Sequence, residues 1–198
     1  MMTTADFDPN PWVQFSKWYD QAAQAHIKNP DAMTLATATL DGTPSARIVL
    51  YKGLNSKGLR FFTNYQSRKS EELLQNPKAA LVFYWSTLDR QIRIEGKIEV
   101  LSSRESDEYW NSRPRASRLS AIASPQSTPI SNRQVIENQI QELTTQYQNQ
   151  EIPRPENWGG FCLIPNRFEF WFAGNHRFHD RFCYLKKNTH WEMIQLAP

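Results

Sequence analysis

The chain has 198 residues, 23 Lys+Arg against 20 Asp+Glu and a formal net charge of +3. That is enough length for one domain with a sizeable core and too little excess charge for nucleic-acid binding by charge alone. With 12 prolines, seven glycines and 13% aromatic residues, the composition excludes a disordered or collagen-like chain.

Asp8-Pro9-Asn10-Pro11 reads as a helix start, with Asn10 as N-cap and Pro11 in the first helical position. Residues 1–8 are expected to form an unstructured tail, and 9–198 a single domain. Trp12, Phe15, Trp18, Tyr19, Ala22 and Ala25 follow at helical spacing and end near Asn29-Pro30. His26 near that end is read as a favourable charge for the helix dipole.

Strand texture begins at Ala32. Segments 32–40 and 44–52 flank an Asp41-Gly42 turn, and 59–64 follows Lys57-Gly58. Ser67-Arg68-Lys69 opens a short helix that stops at Asn76-Pro77. Segments 79–85 and 91–101 read as longer strands. Helices are expected over 103–111, 117–123 and 131–148, the last with a surface pattern of one apolar side. Strands return at 159–164, 167–172, 179–185 and 191–196. Short connections between successive strands predict a mainly β fold, an antiparallel barrel with flanking helices, over a parallel α/β sheet.

Two groups of residues suggest phosphate chemistry. Ser67-Arg68-Lys69 places two cations at a helix N-terminus, whose N–H groups and dipole favour an anion. Arg113 with Ser117 and Tyr109 gives a second set of donors suited to a phosphate monoester. A third basic group lies in the stretch from Glu169 to Phe182. Read as extended chain on either side of Gly174-Asn175, it puts Arg177, His179 and Arg181 on one strand face and Phe178, Asp180 and Phe182 on the other. That face reads either as a lined anionic pocket or as a charged edge strand that resists aggregation.

GxGxxG, Walker-type and GxSxG motifs are missing. Cys162 and Cys183 form no CxxC site and are read as buried thiols. His176 and His179 are three apart, so an extended strand turns them to opposite faces, and no metal site is expected. A reaction run on a bound organic cofactor fits better. No basic-then-apolar leader opens the chain and no segment approaches the roughly 20 apolar residues of a membrane span. A soluble, cytoplasmic protein without nucleic-acid or membrane partners is the expectation.

From Asp8 to Pro198 the chain resembles the pyridoxamine 5'-phosphate oxidases, which use FMN. The resemblance is carried by residues 47–52 (Arg-Ile-Val-Leu-Tyr-Lys), Phe62-Thr63-Asn64, Ser67-Arg68-Lys69, Arg90-Gln91, Ser112-Arg113-Pro114-Arg115 and Gln126-Ser127. Trp158-Gly159-Gly160-Phe161, Glu169-Phe170-Trp171, residues 176–181 (His-Arg-Phe-His-Asp-Arg) and Leu196-Ala197-Pro198 complete it. It implies a split β-barrel assembled as a homodimer with FMN in the interface and a C-terminal dimerisation and active-site hairpin. Around FMN it implies Arg47, Ile48, Val49, Leu50, Tyr51, Lys52, Phe62, Thr63, Arg68, Lys69, Gln91, Gln126, Ser127, Trp171 and Arg181. Lys52, Tyr109, Arg113 and Ser117 would hold a substrate phosphate. Arg177, Phe178 and His179 would lie at the substrate ring, with Arg177 and His179 as the catalytic pair. The implied reaction oxidises pyridoxamine or pyridoxine 5'-phosphate to pyridoxal 5'-phosphate with O2, yielding hydrogen peroxide. Phe178 departs from the leucine usual in the family. A flavin oxidase of the phenazine pathway and a non-catalytic flavin- or pyridoxal-phosphate-binding protein are the alternatives.

Overall fold

The computed structural model describes residues 3–198. Helix α1 spans Pro11–Gln24 and starts as its sequence dictates: the Asn10 side chain accepts from the Trp12 N–H at 3.0 Å, and Pro11 takes the first turn. Its buried face carries Phe15, Trp18 and Ala22. It stops where His26 and Asn29 turn to positive φ.

Strands β1 (Ala32–Ala38) and β2 (Pro44–Leu50) form a hairpin in register from Ala32 opposite Leu50 to Ala38 opposite Pro44. Gly42, at φ 88°, supplies the left-handed turn residue that a side chain would resist. Strand β3 (Leu59–Asn64) is followed by α2 (Arg68–Gln75), and β4 (Lys78–Trp85) pairs with both β1 and β5 (Arg90–Val100).

Strand β6 (Trp158–Phe172) organises the rest. Along one edge it pairs with β5. Along the other its first half pairs with β3 and its second half with β7 (Asp180–Lys187), which in turn pairs with β8 (His190–Leu196). The ring closes where β2 runs on past Leu50: Lys52 N–H donates to Arg60 O at 2.8 Å and Arg60 N–H to Gly53 O at 3.0 Å. Six strands thus enclose a barrel, and β7 and β8 extend its wall beyond β6.

The expected break at Pro165-Asn166 is a bulge inside one continuous strand. Glu95 faces Arg167 while Gly96 faces Pro165, so Asn166 is the extra residue. A Cβ on Gly96 would lie 2.1 Å from Ile164 O, so the bulge needs a residue without a side chain there.

Alternation along the strands directs Met33, Leu35, Leu81, Phe83, Ile92, Ile94, Phe168, Phe170 and Phe182 inward, all nearly inaccessible. Each such side chain contributes roughly 1.5–3 kcal/mol of burial. A second core lies between β6 and a helical layer of α3 (Ser103–Ser112), α4 (Arg115–Ala123) and α5 (Arg133–Gln146). It holds Trp110, Leu119, Leu143, Ile152 and Trp158. A Ser102–Glu105 capping box starts α3.

Two expectations change. The tail expected at 1–8 is structured over the described residues 3–8. Thr4–Asp6 form a 3-10 turn, and Phe7 is buried with its ring centroid 4.3 Å from that of Phe182. The burial of this ring acts together with two hydrogen bonds that tie the segment down, from Asp8 N–H to Gln14 Oε1 at 3.0 Å and from the Tyr184 hydroxyl to Asp8 O at 2.6 Å. The strand expected to begin at His179 begins at Asp180, and Asn175–Arg177 form a 3-10 turn in which His176 and Arg177 both have positive φ. Arg177 and Arg181 therefore do not share a strand face, and Phe178 is exposed instead of backing onto the core. Beyond Asp180 the expected alternation holds, with Asp180 and Phe182 buried. Among the described residues no helix is long and apolar enough to cross a membrane.

Candidate active site

Beside the helical layer lies a cavity of about 650 Å³, lined by Phe62, Thr63, Arg113, Ser117, Gln126 and Trp158 among others. Lys69, buried on the first turn of α2, touches two of these lining residues: it donates to Thr63 Oγ1 at 3.0 Å and Gln126 Oε1 at 3.0 Å, and also to Ser67 Oγ at 2.8 Å. Thr63 Oγ1 also donates to Gln126 Oε1 at 2.9 Å. Burial, and secondarily the nearby Arg47 guanidinium, pull the Lys69 ammonium down to about 8. Its three partners are neutral oxygens, so a ligand anion would restore the charge balance. Ser127, next to Gln126, is held at φ 71°.

The opposite wall is a stack. The Phe62 and Tyr109 rings lie 3.9 Å apart at 19°, with the near-parallel Trp158 ring to the side, its centroid 5.8 Å from Phe62 and 6.2 Å from Tyr109. The Arg113 guanidinium sits 4.8 Å from the Trp158 ring centroid and donates through Nη2 to the Ser117 carbonyl at 3.0 Å. Its buried Nε has no hydrogen-bond partner among the described residues, and burial lowers the pKa of the guanidinium. No carboxylate among the described residues pairs with it. A desolvated guanidinium without a counter-ion is poised for an anionic ligand. Ser120 and Arg133 also line the cavity.

Arg47 and Arg68 are brought together by a residue that sequence reasoning missed. Glu72, nearly buried, accepts from Arg47 Nη2 at 3.1 Å, Arg68 Nε at 2.9 Å and the Thr37 hydroxyl. Burial works to raise its pKa, but the bonds from Thr37, Arg68 and Arg47 outweigh it and the net shift is downward. The Arg68–Glu72 spacing of four was the available signal. The contact with Arg47 crosses from strand to helix and left none.

The segment from Arg47 to Lys52 divides by strand alternation. Ile48 and Leu50 are exposed on the outer face. Val49 and Tyr51 turn into the core, where Tyr51 meets Phe15, Tyr19 and Phe83, and burial pushes its hydroxyl up to about 12. From those two positions only the backbone is left to touch a ligand. Lys52 pairs with Asp31 at 2.8 Å.

The remaining expected residues gather elsewhere. Gln91, Trp171 and Arg181 form one row across β5, β6 and β7. Arg181 is held by Glu169, with Oε1 3.0 Å from Nε and 2.9 Å from Nη2, and donates through Nη1 to Ala197 O at 2.9 Å. Glu169, two residues before Trp171 and on its face, stood in the sequence motif without a role of its own. His179 lies 4.7 Å from Trp171 between ring centroids, and Arg177 is exposed on the adjoining turn. Trp158 at the first cavity and Trp171 in this row stand at opposite ends of β6, on the order of 40 Å of strand apart at about 3.3 Å per residue. The two groups do not meet within one chain. No group of three or more His, Cys, Asp or Glu among the described residues could hold a metal.

An antiparallel barrel with helices on its wall is the architecture of the FMN-binding split barrels. A solved FMN-binding protein related to pyridoxamine 5'-phosphate oxidase, from Nostoc punctiforme PCC 73102, shares the fold with a TM-score of 0.76 at 19% identity, covering 97% of this chain and 100% of that one. The family model for pyridoxamine 5'-phosphate oxidase matches residues 19–147, and that for the pyridoxine 5'-phosphate oxidase C-terminal dimerisation region matches 158–198. The pyridoxine/pyridoxamine 5'-phosphate oxidase of Nostoc sp. strain PCC 7120 is 51% identical over 198 residues, covering 100% of this chain and 92% of the relative. The structure of PhzG from Burkholderia lata 383, in complex with tetrahydrophenazine-1-carboxylic acid, aligns with a TM-score of 0.93 at 30% identity over 100% of this chain and 98% of that one. The chain belongs to the pyridoxine/pyridoxamine 5'-phosphate oxidase family and is an oxidoreductase.

Proposed function

We propose that the protein oxidises pyridoxamine 5'-phosphate and pyridoxine 5'-phosphate to pyridoxal 5'-phosphate, with FMN as cofactor and O2 as acceptor. The observation that carries the substrate class is Arg113, a half-buried guanidinium without a carboxylate, flanked by Tyr109 and Ser117. A phosphate monoester supplies the missing charge. The donors at Thr63, Lys69 and Gln126, and the paired guanidinia of Arg47 and Arg68, fit the phosphate and polar groups of FMN.

The chemistry that a bound FMN would supply is two-electron acceptance from the substrate C4' carbon, with O2 as the final acceptor giving hydrogen peroxide. The chain's own task is placement. Arg113, Ser117, Tyr109 and Lys52 would anchor the substrate phosphate. Arg177 would orient the substrate ring as the catalytic cation, with His179 and Phe178 beside it. Gln91, Trp171 and Arg181 would border the cofactor.

Because the Trp158 and Trp171 groups lie at opposite ends of β6, a site using both draws them from two copies. The match of residues 158–198 to a dimerisation region and the exposure of Ile48, Leu50 and Tyr84 on the outer sheet face support a homodimer with FMN at its interface. The likeness to PhzG gives weight to a second reading, a flavin oxidase acting on a phenazine precursor. The Arg113 cluster favours the phosphorylated substrate.

Oxygen uptake by the FMN-reconstituted protein under air discriminates these readings. Pyridoxamine 5'-phosphate and its pyridoxine counterpart should each consume oxygen and yield pyridoxal 5'-phosphate. Oxidation of tetrahydrophenazine-1-carboxylic acid with both vitamers left untouched would replace this reading by the second.

A further inference from the structure

The turn between β6 and β7 grips His179 in a defined way. The Gly174 N–H donates to His179 Nδ1 at 3.2 Å. A ring nitrogen that accepts a hydrogen bond carries no proton, so in the neutral ring the proton resides on Nε2. Two consecutive left-handed residues, His176 at φ 53° and Arg177 at φ 65°, fold the chain back on itself. The Phe178 N–H then reaches Asn175 O and the His179 N–H reaches Arg177 O, both at 3.0 Å.

This brings the Phe178 carbonyl so close to Gly174 that a Cβ there would stand 1.8 Å from its oxygen. Only glycine permits the approach that aims the Gly174 N–H at the imidazole. The ring also leans on Trp171, at 46° between planes. With Nδ1 taken by the loop and one side of the ring against Trp171, the Nε2 edge is the part left for a ligand.

We propose that the Gly174 amide is a positioning group that sets His179 as an Nε2–H hydrogen-bond donor. His179 then offers the substrate a protonated nitrogen directed at an acceptor, such as an ionised ring hydroxyl, and does not act as the proton-accepting base at that position. The proposal rests on the assignment of His179 to the substrate site. It predicts preference for substrates carrying an acceptor at that point over analogues lacking one.

The tautomer is measured directly on 15N-histidine-labelled protein, without FMN or substrate, well above the ordinary histidine pKa of about 6.5. Long-range proton–nitrogen correlations should show His179 as the Nε2–H form, its signal identified by loss in His179→Gln. A dominant Nδ1–H form, or two forms in comparable amount, overturns the proposal. Two variants supply the functional arm. Glutamine places an amide nitrogen near the Nε2 position, and asparagine places one near Nδ1. With pyridoxamine 5'-phosphate, His179→Gln should raise KM less than about threefold and His179→Asn about tenfold, the scale of one lost hydrogen bond. Equal losses in both variants with a collapsed kcat would also overturn the donor role. A wild-type protein inert toward both vitamers would count against the proposed reaction alone, and the nitrogen spectra would still decide the tautomer.

Discussion

Glu72 holds Arg47 at 3.1 Å through the same carboxylate that holds Arg68, so one buried acid sets the spacing of two guanidinia that come from a strand and a helix. Replacing it by glutamine leaves Arg47 facing a neutral group that cannot satisfy both arginines. Glu72→Gln should lower the unfolding free energy by about 2 kcal/mol, as expected when a partly buried charge loses its partner, measured by urea denaturation of the cofactor-free protein.

The same carboxylate gives a pH dependence with a definite sign. Its folded-state pKa is depressed, so the folded protein holds this proton less tightly than the unfolded chain. Its contribution is fully present above the ordinary glutamate range and is lost as pH falls through the folded value. The acid limb of a stability profile should therefore be shallower in Glu72→Gln than in the wild type. Identical limbs would remove Glu72 from the account.

Lys69 predicts proton uptake on anion binding. Its pKa of about 8 leaves the ammonium largely deprotonated at pH 9, and a phosphate placed beside it restores the charged form. Titration calorimetry with FMN at pH 9, in buffers of different ionisation enthalpy, should register net uptake of protons, absent at pH 6 and reduced in Lys69→Met.

Arg113 separates phosphorylated from unphosphorylated ligands. Arg113→Ala should lower kcat/KM for pyridoxamine 5'-phosphate by about a hundredfold, the loss of a charge-assisted contact worth roughly 2–3 kcal/mol. Any reaction of unphosphorylated pyridoxamine should change little. Equal losses on both substrates would assign Arg113 to the fold, through Trp158, and not to the phosphate.

Phe7→Ala tests the ordered N-terminal segment. Phe7 meets Trp18, Phe170 and Phe182 within 6.0 Å between ring centroids, so the truncation should cost about 3 kcal/mol, in the range for buried aromatics. An unchanged thermal midpoint would mean that the segment contributes nothing to the core.

Local chemistry explains which parts of the molecule were legible in the sequence. The Asn10-Pro11 helix start and the Asp41-Gly42 hairpin are written in neighbouring residues, and both form as expected. Pro165-Asn166 reads as a break because proline usually ends pairing, yet a glycine on the facing strand absorbs it as a bulge. The loop at 173–179 misled the alternation because two non-glycine residues, His176 and Arg177, adopt left-handed conformations that their residue types do not announce. The cavity group of Thr63, Lys69 and Gln126 does assemble, although 63 positions separate Thr63 from Gln126. The pairs Arg47–Glu72 and Arg181–Glu169 were invisible because they cross between elements, where spacing along the chain carries no message, whereas Arg68–Glu72 was open to a helical spacing of four.

The length of β6 has a genetic consequence. On the shared-site reading, the Arg113 cavity of each copy is completed by the Arg177 turn of the other. A dimer mixing an Arg113-defective copy with an Arg177-defective one then concentrates both lesions in one of its two sites and leaves the other untouched. Two inactive proteins, unfolded and refolded together in equal amounts, should recover about a quarter of the wild-type sites by random pairing. Two alleles that each abolish activity in a homozygote could thus rescue one another in the same cell.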